Sequence, residues 1–190
     1  ADDLKGMRIR FASPVVRDFI AELGGTPVGI PSPEIVENMQ KGTLDGAFID
    51  YGGAGIAFRM GPVTKYTTEM YSYVVSFCTC MNQKSWDSLG AANQKLFMDA
   101  FVELGGNAEP GKRFDSIDGP GRDAMVKAGT EILKLSAEED AKFRKAGAAV
   151  TEKVLADLEK KGQPARAVHK LMVELAAKHA DAAILAVDRG

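Results

Sequence analysis

The fold is decided by residues 7–49, which read MRIRFASPVVRDFIAELGGTPVGIPSPEIVENMQKGTLDGAFI. Over about residues 7–12, apolar side chains alternate with arginines, and this period of two predicts a strand with one apolar face. A serine suited to N-capping and a proline suited to the first helical turn follow, and apolar residues then recur at helical spacing up to a glycine pair. The sequence therefore predicts a helix over about residues 13–23.

The same order of strand and helix repeats further along the chain. Residues 26–30 are typical of a second strand, Ser32-Pro33 opens a second helix that Gly42 ends, and residues 44–49 form a third apolar run. Successive strands start about 19 residues apart, which fits parallel strands joined by right-handed helical crossovers rather than hairpins. We therefore expect an α/β lobe that begins β-α-β-α-β.

A long strand is predicted further along the chain. After a short helix predicted over residues 54–60, the run YSYVVSFCTCM at 71–81 is rich in β-branched and aromatic residues and long enough to pass from one sheet to another. We expect it to make the sheet mixed. Cys78 and Cys80 lie two apart in this run, where a mutual disulfide would be strained, so both are predicted to be buried free thiols.

The second half of the chain is predicted to be mainly helical. Helical spacing covers residues 86–127, with breaks expected at 105–106 and 110–111. Ser136 and a glutamate three residues later form a capping box ahead of a helix predicted over about residues 136–161. A last amphipathic helix follows, so the lobe is expected to carry long C-terminal helices.

Composition and charge exclude several classes of protein. The chain has 190 residues and 20.3 kDa, with 45% hydrophobic and 26% charged residues, as in an average soluble domain or pair of small lobes. Its 24 basic and 26 acidic residues give a net charge of -2, and no basic stripe could follow a nucleic acid backbone. The longest apolar stretches, 73–81 and 182–187, are far shorter than the roughly 18 to 20 residues of a membrane span.

The sequence lacks the usual signatures of catalysis. His169 and His179 are the only histidines, and their spacing of ten residues does not match a helical metal site. The chain contains no GxSxG nucleophile motif and no phosphate-binding glycine loop. We therefore expect neither an enzyme nor a metal or cofactor.

One edge of the predicted sheet could hold a ligand. Arg10 lies at the carboxyl end of the first strand, the edge at which open α/β sheets bind ligands. An arginine there can hold a carboxylate with two parallel hydrogen bonds, although most surface arginines are merely solvated or form ion pairs. The third strand ends at the same edge, with Phe48, Ile49, Asp50 and Tyr51. These residues could line a crevice beside Arg10.

Four segments resemble one family of proteins in order and spacing. They read LKGMRIRFASP, ELGGTPVGIPSPEIVENMQKGTLDGA, TKYTTEMYSYVVSFCTCMNQKSWDSL and GRDAMVKAGTEILKLSAEEDAKFRKAGAAV. Together they resemble the substrate-binding proteins of tripartite ATP-independent periplasmic (TRAP) transporters, DctP type. The resemblance implies a periplasmic protein of two α/β lobes that captures a small organic acid and delivers it to a membrane permease. It also implies that Arg10 clamps the ligand carboxylate and that the residues after Asp45-Gly46 face the cleft.

The sequence departs from that family in ways that bear on the ligand. Where many relatives have a phenylalanine, this chain has Ser32, so one cleft wall is expected to be more polar or open. Asp50 would repel a ligand carboxylate unless Arg10 offsets its charge. The resemblance also implies that the family is longer and that most of the first lobe is missing here. Residues 1–82 and 126–190 would then form the second lobe, and 83–125 would belong to the first.

A second hypothesis makes the chain an interaction protein. Residues 83–125 carry apolar side chains whose spacing suggests a helix face that another surface must cover. These side chains are Trp86, Leu89, Leu96, Phe97, Phe101, Val102 and Leu104. Without a first lobe, a second copy of the chain could supply that cover. The alternative is thus a stand-alone lobe that self-associates through 83–125 as a homo-oligomer and transports nothing.

Overall fold

The protein is seen in a computed structural model that describes residues 1–70, 72–73, 77–106 and 108–179. Its first part alternates strands and helices, in the order β1 Arg8–Arg10, α1 Pro14–Glu22, β2 Thr26–Val28, α2 Ile35–Gln40 and β3 Gly46–Ala47. A short 3₁₀ helix, Ser32–Glu34, leads into α2. The predicted β-α-β-α-β start is confirmed.

These three strands form a parallel sheet in the order β2-β1-β3. Ile9 at the centre of β1 is opposite Pro27 on one side and Gly46 on the other. The Ser13 hydroxyl accepts a hydrogen bond from the Val16 amide at 3.4 Å, which caps α1 as the sequence predicts. Because all three strands run the same way, their carboxyl ends meet at one edge of the sheet.

A π-helix, Gly52–Ala57, follows β3 and leads to a 3₁₀ helix, Gly61–Val63. The strand after it, β4 Tyr66–Glu69, has no counterpart among the sequence predictions. It pairs in parallel with β5 Glu131–Lys134 in a separate two-stranded sheet. Every pair among the described strands is therefore parallel.

Helices make up most of the remaining chain, and their bounds are α3 Gln83–Ser88, α4 Gly90–Glu103, α5 Ala108–Lys127, α6 Ala137–Lys160 and α7 Ala165–His179. The break expected at residues 110–111 is wrong, because α5 runs through it. Pro110 is the third residue of α5, where an amide would have no acceptor within the helix in any case. The Ser136 hydroxyl accepts from the Glu139 amide at 3.2 Å, so the predicted start of α6 is confirmed.

Two apolar clusters form the core. In the first, α1 and α6 pack together over the three-stranded sheet, with the rings of Phe19 and Phe143 6.5 Å apart. The second lies between α2, the π-helix and α5, around the fully buried Ile35 and Met125. Both clusters adjoin the end of β3, since Phe48 belongs to the first and the partly buried Ile49 packs on the second.

The long strand predicted over residues 71–81 is not present in its described part. Residues 72–73 and 77–81 form no strand, and the others lie outside the described residues. Phe77 is 73% exposed and stacks on Phe114 with ring centroids 5.1 Å apart. The prediction of buried thiols is wrong as well, because Cys78 and Cys80 are both exposed. Because the described residues of this segment pair with no strand, the side chains of Phe77, Cys78 and Cys80 remain in contact with water.

The helices α3 and α4 form a hairpin in which the Trp86 and Phe97 rings meet edge to face at 5.7 Å. The outer side of this hairpin is apolar and exposed, with Leu96, Val102 and Leu104 between 66% and 74% accessible. By contrast, the last turns of α5 pack on the π-helix. Residues 83–125 therefore contain one part that contacts the sheet-bearing core and another that contacts little of it.

Candidate functional site

Arg10 ends β1 at the carboxyl edge of the sheet and is almost completely buried, with 8% of its surface exposed. Its guanidinium donates to the Ile30 carbonyl from Nε at 3.3 Å, to the Phe48 carbonyl from Nη1 at 3.2 Å and to Ser32 Oγ from Nη2 at 2.8 Å. Ile30 and Ser32 follow β2, and Phe48 follows β3, so the acceptors lie just beyond the two strands that flank β1. The sheet topology thus fixes the position of this guanidinium.

The guanidinium keeps hydrogen-bonding capacity for a ligand. It has five N–H donors, and three of them bind the acceptors named above. Within the described residues no carboxylate lies close enough to form an ion pair with Arg10. Burial lowers the pKa of Arg10, and Tyr73 and Asp50 oppose that effect. Among the described residues, two of the five N–H donors of Arg10 therefore have no acceptor.

Ser32 and Phe48 both contact Arg10, but they do so through different groups. Ser32 contributes its hydroxyl, whereas Phe48 contributes its backbone carbonyl. The Phe48 ring is buried in the first cluster, 5.9 Å from Phe19 and 6.1 Å from Tyr73. Phe48 thus connects the Arg10 guanidinium, through its carbonyl, with the first apolar cluster, through its ring.

The next residues, Ile49, Asp50 and Tyr51, form the turn into the π-helix. The side chains of Ile49 and Tyr51 pack against the second cluster. Asp50 is exposed, and its Oδ2 accepts from the Gly53 amide in the first turn of the π-helix at 2.5 Å. Asp50 is therefore the one of these three side chains that points mainly to solvent.

The Tyr51 hydroxyl contacts the ion pair between Glu69 and Arg122. The hydroxyl donates to Glu69 Oε1 at 3.1 Å, and Arg122 Nε donates to the same oxygen at 2.8 Å. Glu69 is mostly buried, with 14% of its side chain exposed, and Arg122 is partly exposed. This ion pair raises the pKa of Arg122. The contact connects the turn after β3 with β4 and α5.

A further aspartate reaches the same turn from α5. Asp118 Oδ1 accepts from the Gly52 amide at 3.0 Å. The two backbones are so close here that a Cβ on Gly121 would lie 2.1 Å from the Tyr51 carbonyl oxygen. The end of α5 is thus one wall of the turn that carries Asp50 and Tyr51.

Sequence reasoning missed Tyr73, Glu69, Asp118 and Arg122. Tyr73 is half-buried beside Phe48, and burial together with Asp50 raises its pKa while Arg10 lowers it. The one available signal is the tyrosine pair in YSYVVSF, a run whose composition predicts a strand. The other three lie on β4, which was not predicted, and on α5, which was assigned to another lobe.

Two surface depressions of about 370 and 120 Å³ lie away from Arg10, the larger beside Lys5, Glu22 and Lys142 and the smaller beside Met70 and Phe143. Arg10 lines neither of them.

No group of three potential metal-ligating side chains occurs within residues 1–70, 72–73, 77–106 and 108–179. In the same part of the chain, no helix combines the length and the apolar character needed to cross a membrane.

The profile of the family described as "bacterial extracellular solute-binding protein, family 7", or DctP, matches residues 1–157. The chain belongs to the DctP family. A solute-binding protein from Albidiferax ferrireducens is 30% identical over 138 residues, which are 71% of this chain and 40% of that protein. The chain spans about half the length or less of the relatives it matches.

Solved structures of TRAP solute-binding proteins share the fold. The TRAP solute-binding protein of Rhodoferax ferrireducens T118, solved with copurified benzoate, is 26% identical with a TM-score of 0.78, over 95% of this chain and 57% of that one. A TRAP solute-binding protein from a marine metagenome, described as specific for aromatic acids, is 24% identical with a TM-score of 0.76, over 94% and 57%. The α/β fold expected from the sequence is therefore confirmed as that of TRAP solute-binding proteins.

Proposed function

We propose that this DctP-family chain captures a small organic acid in the periplasm and delivers it to a TRAP membrane permease. The observation that carries the proposal is the buried guanidinium of Arg10, which is held by acceptors that follow β2 and β3 and which forms no ion pair with a carboxylate among the described residues. A ligand carboxylate is the natural partner for such a group. The described residues around Arg10 offer hydrogen bonds and charge but no nucleophile activated by a base, which fits binding without reaction.

The chain supplies one wall of the binding cleft in this proposal. Residues 1–82 and 126–190 form the second ligand-binding lobe, and the exposed α3 and α4 in the segment 83–125 face a first lobe. The end of α5 packs on the π-helix and anchors that segment to the second lobe. The opposite wall would come from the part of the longer relatives that this chain does not span. An apolar face covered in this way accounts for the exposed side chains of α4 without a homo-oligomer.

The proposal can be tested by replacing Arg10 with lysine. Arg10→Lys keeps the charge but loses the planar pair of donors, so carboxylate affinity should fall about tenfold or more. Arg8→Lys is the matched control, because Arg8 lies on the same strand, is exposed and pairs with Asp45 at 2.7 Å. NMR titration with benzoate measures both affinities even when binding is in the millimolar range. Equal affinities of the two variants would refute the role of Arg10.

A further inference from the structure

The backbone between β3 and the π-helix forms few hydrogen bonds of its own. The last bond along β3 joins the Phe48 amide to the Arg10 carbonyl at 3.0 Å. Beyond it, the amides of Ile49 and Asp50 bond to no other described backbone group. The direction of the Phe48 carbonyl therefore depends on where the chain is held next, at Tyr51.

The Phe48 carbonyl holds the cation of the proposed site. Arg10 Nη1 donates to it at 3.2 Å. The other two acceptors of the guanidinium, the Ile30 carbonyl and Ser32 Oγ, both follow β2. In the described structure, the Phe48 carbonyl is thus the one acceptor that Arg10 has on the β3 side. A change in the direction of this carbonyl would release Nη1 and loosen the guanidinium.

The chain after Phe48 is held by groups on β4 and α5. The Tyr51 hydroxyl donates to Glu69 Oε1 at 3.1 Å, and Arg122 Nε donates to the same oxygen at 2.8 Å. Glu69 ends β4, and only 14% of its side chain is exposed. Its strand and its ion pair with Arg122 therefore fix the carboxylate, and an ionised acceptor binds a hydroxyl more strongly than a neutral one.

Resting on the proposed function, we infer that Tyr51 is a positioning residue, which acts on the ligand through Arg10 rather than by contact. Its bond to Glu69 fixes the turn after β3 and, with the turn, the Phe48 carbonyl. A guanidinium that is oriented in advance avoids the cost of ordering a long side chain when an acid binds. The hydroxyl of Tyr51 thus contributes to affinity from outside the contact surface of the ligand.

Removing this hydroxyl tests the inference. Tyr51→Phe should weaken benzoate binding by roughly two- to tenfold, the cost of ordering one long side chain on binding. Tyr66→Phe is the matched control, because Tyr66 lies on the same strand as Glu69 and is 50% exposed. Its hydroxyl has no hydrogen bond to any described residue, so benzoate affinity should stay unchanged. NMR titration of the 190-residue chain measures both variants.

The free protein provides a second measurement, which a purely structural role of Tyr51 would not affect. The Nε–H signal of Arg10 can be assigned by its absence from Arg10→Lys. Because Tyr51→Phe keeps the ring and loosens the guanidinium, this signal should move to a new chemical shift. It should keep its position in Tyr66→Phe. A loss of stability alone would leave the Arg10 signal of the native state where it is.

Variants of Glu69 show whether the hydroxyl acts through this carboxylate. Glu69→Gln keeps an oxygen that can accept from Tyr51, so affinity should remain within about threefold of the wild type. Glu69→Met is similar in length but has no oxygen, and it should weaken benzoate binding as much as Tyr51→Phe does. Since the two changes break the same contact, the double variant should bind no more weakly than either single variant.

The outcomes separate this inference from the proposed function. If Arg10→Lys weakens benzoate binding but Tyr51→Phe alters neither affinity nor the Arg10 signal, the positioning role is wrong and the carboxylate clamp stands. Weaker binding with an unchanged Arg10 signal would mean that Tyr51 contacts the ligand, which also overturns the inference. If Tyr51→Phe and Glu69→Met weaken binding additively, the hydroxyl does not act through Glu69 and the inference is wrong.

A different result would count against the proposed function. If benzoate binding does not depend on Arg10, the carboxylate clamp is wrong. The positioning of Arg10 is then judged on the free protein alone, where an unchanged Nε–H signal in Tyr51→Phe would overturn it as well.

Discussion

Replacing Gly121 with alanine should force α5 away from the turn that carries Tyr51. A Cβ at Gly121 would lie 2.1 Å from the Tyr51 carbonyl oxygen, 2.5 Å from its carbon and 2.9 Å from the Gly52 nitrogen. All three atoms belong to the backbone, so no side chain can rotate aside. An ordinary contact needs at least 3.4 Å, and the two segments must therefore separate by about 1.3 Å.

Such a shift should be costly because it opens the second core cluster. Overpacking of this kind typically costs about 1 to 3 kcal/mol, and a clash between two backbones belongs at the upper end. The hydrogen bond from the Gly52 amide to Asp118 would weaken as well. Alanine gains about 0.5 to 1 kcal/mol over glycine within a helix. The net loss for Gly121→Ala is therefore about 2 kcal/mol in the free energy of unfolding.

The same helix provides a matched control. Gly111 lies ten residues earlier in α5, and a Cβ there would meet no atom within 4 Å apart from its chain neighbours and its own helix backbone. Gly111→Ala should therefore raise the free energy of unfolding by about 0.5 to 1 kcal/mol. Urea unfolding followed by circular dichroism should separate the two variants by about 1 M in midpoint. If Gly121→Ala unfolds at the same urea concentration as Gly111→Ala, α5 does not pack against the turn in this way.

Three further outcomes are expected. A thiol reagent should label Cys78 and Cys80 in the native chain within the mixing time of a quenched assay, since both are exposed; labelling only after unfolding would contradict their placement. Arg8 holds the pKa of Asp45 at about 2, below its ordinary 3.8, so the pair stabilises the fold above about pH 4 and this contribution is lost as the pH falls towards 2. Arg8→Gln should flatten that part of the stability profile in thermal melts. Ser136→Ala should lower the melting temperature by about 2 to 4 °C through loss of the α6 cap, and an unchanged melt would mean that the cap contributes nothing.

The first half of the fold could be predicted from sequence because its signals are local. Alternation around Ile9, the N-cap at Ser13 and the spacing of the three strands each depend on neighbouring residues. Arg10 could be predicted as well, since topology alone places the end of β1 at the ligand edge. The family resemblance implies a role for that arginine in binding a carboxylate, and that role stays a prediction.

The remaining errors concern residues whose environment is set by distant parts of the chain. Strand composition predicted residues 71–81 as a strand, but a strand also requires a partner at hydrogen-bonding distance, and the described residues there have none. The same absence exposes Cys78 and Cys80. The contacts of Asp118 and Arg122 could not be predicted from the sequence either. They depend on glycines that let α5 approach the π-helix, and the sequence does not show which backbone segment a glycine will pack against.

The burial of Arg10 links the stability of the lobe to its proposed task. Removing a guanidinium from water without a countercharge is unfavourable, and this is the reason its pKa is lowered. Two carbonyls and a hydroxyl compensate for part of the lost hydration, but they carry no net charge. A ligand carboxylate that binds the two remaining donors would supply the missing charge in a place already shielded from water, where an ion pair is stronger than at the surface. Within the described residues the guanidinium is thus only partly satisfied, and in the proposed function that deficit is the source of affinity for an acid.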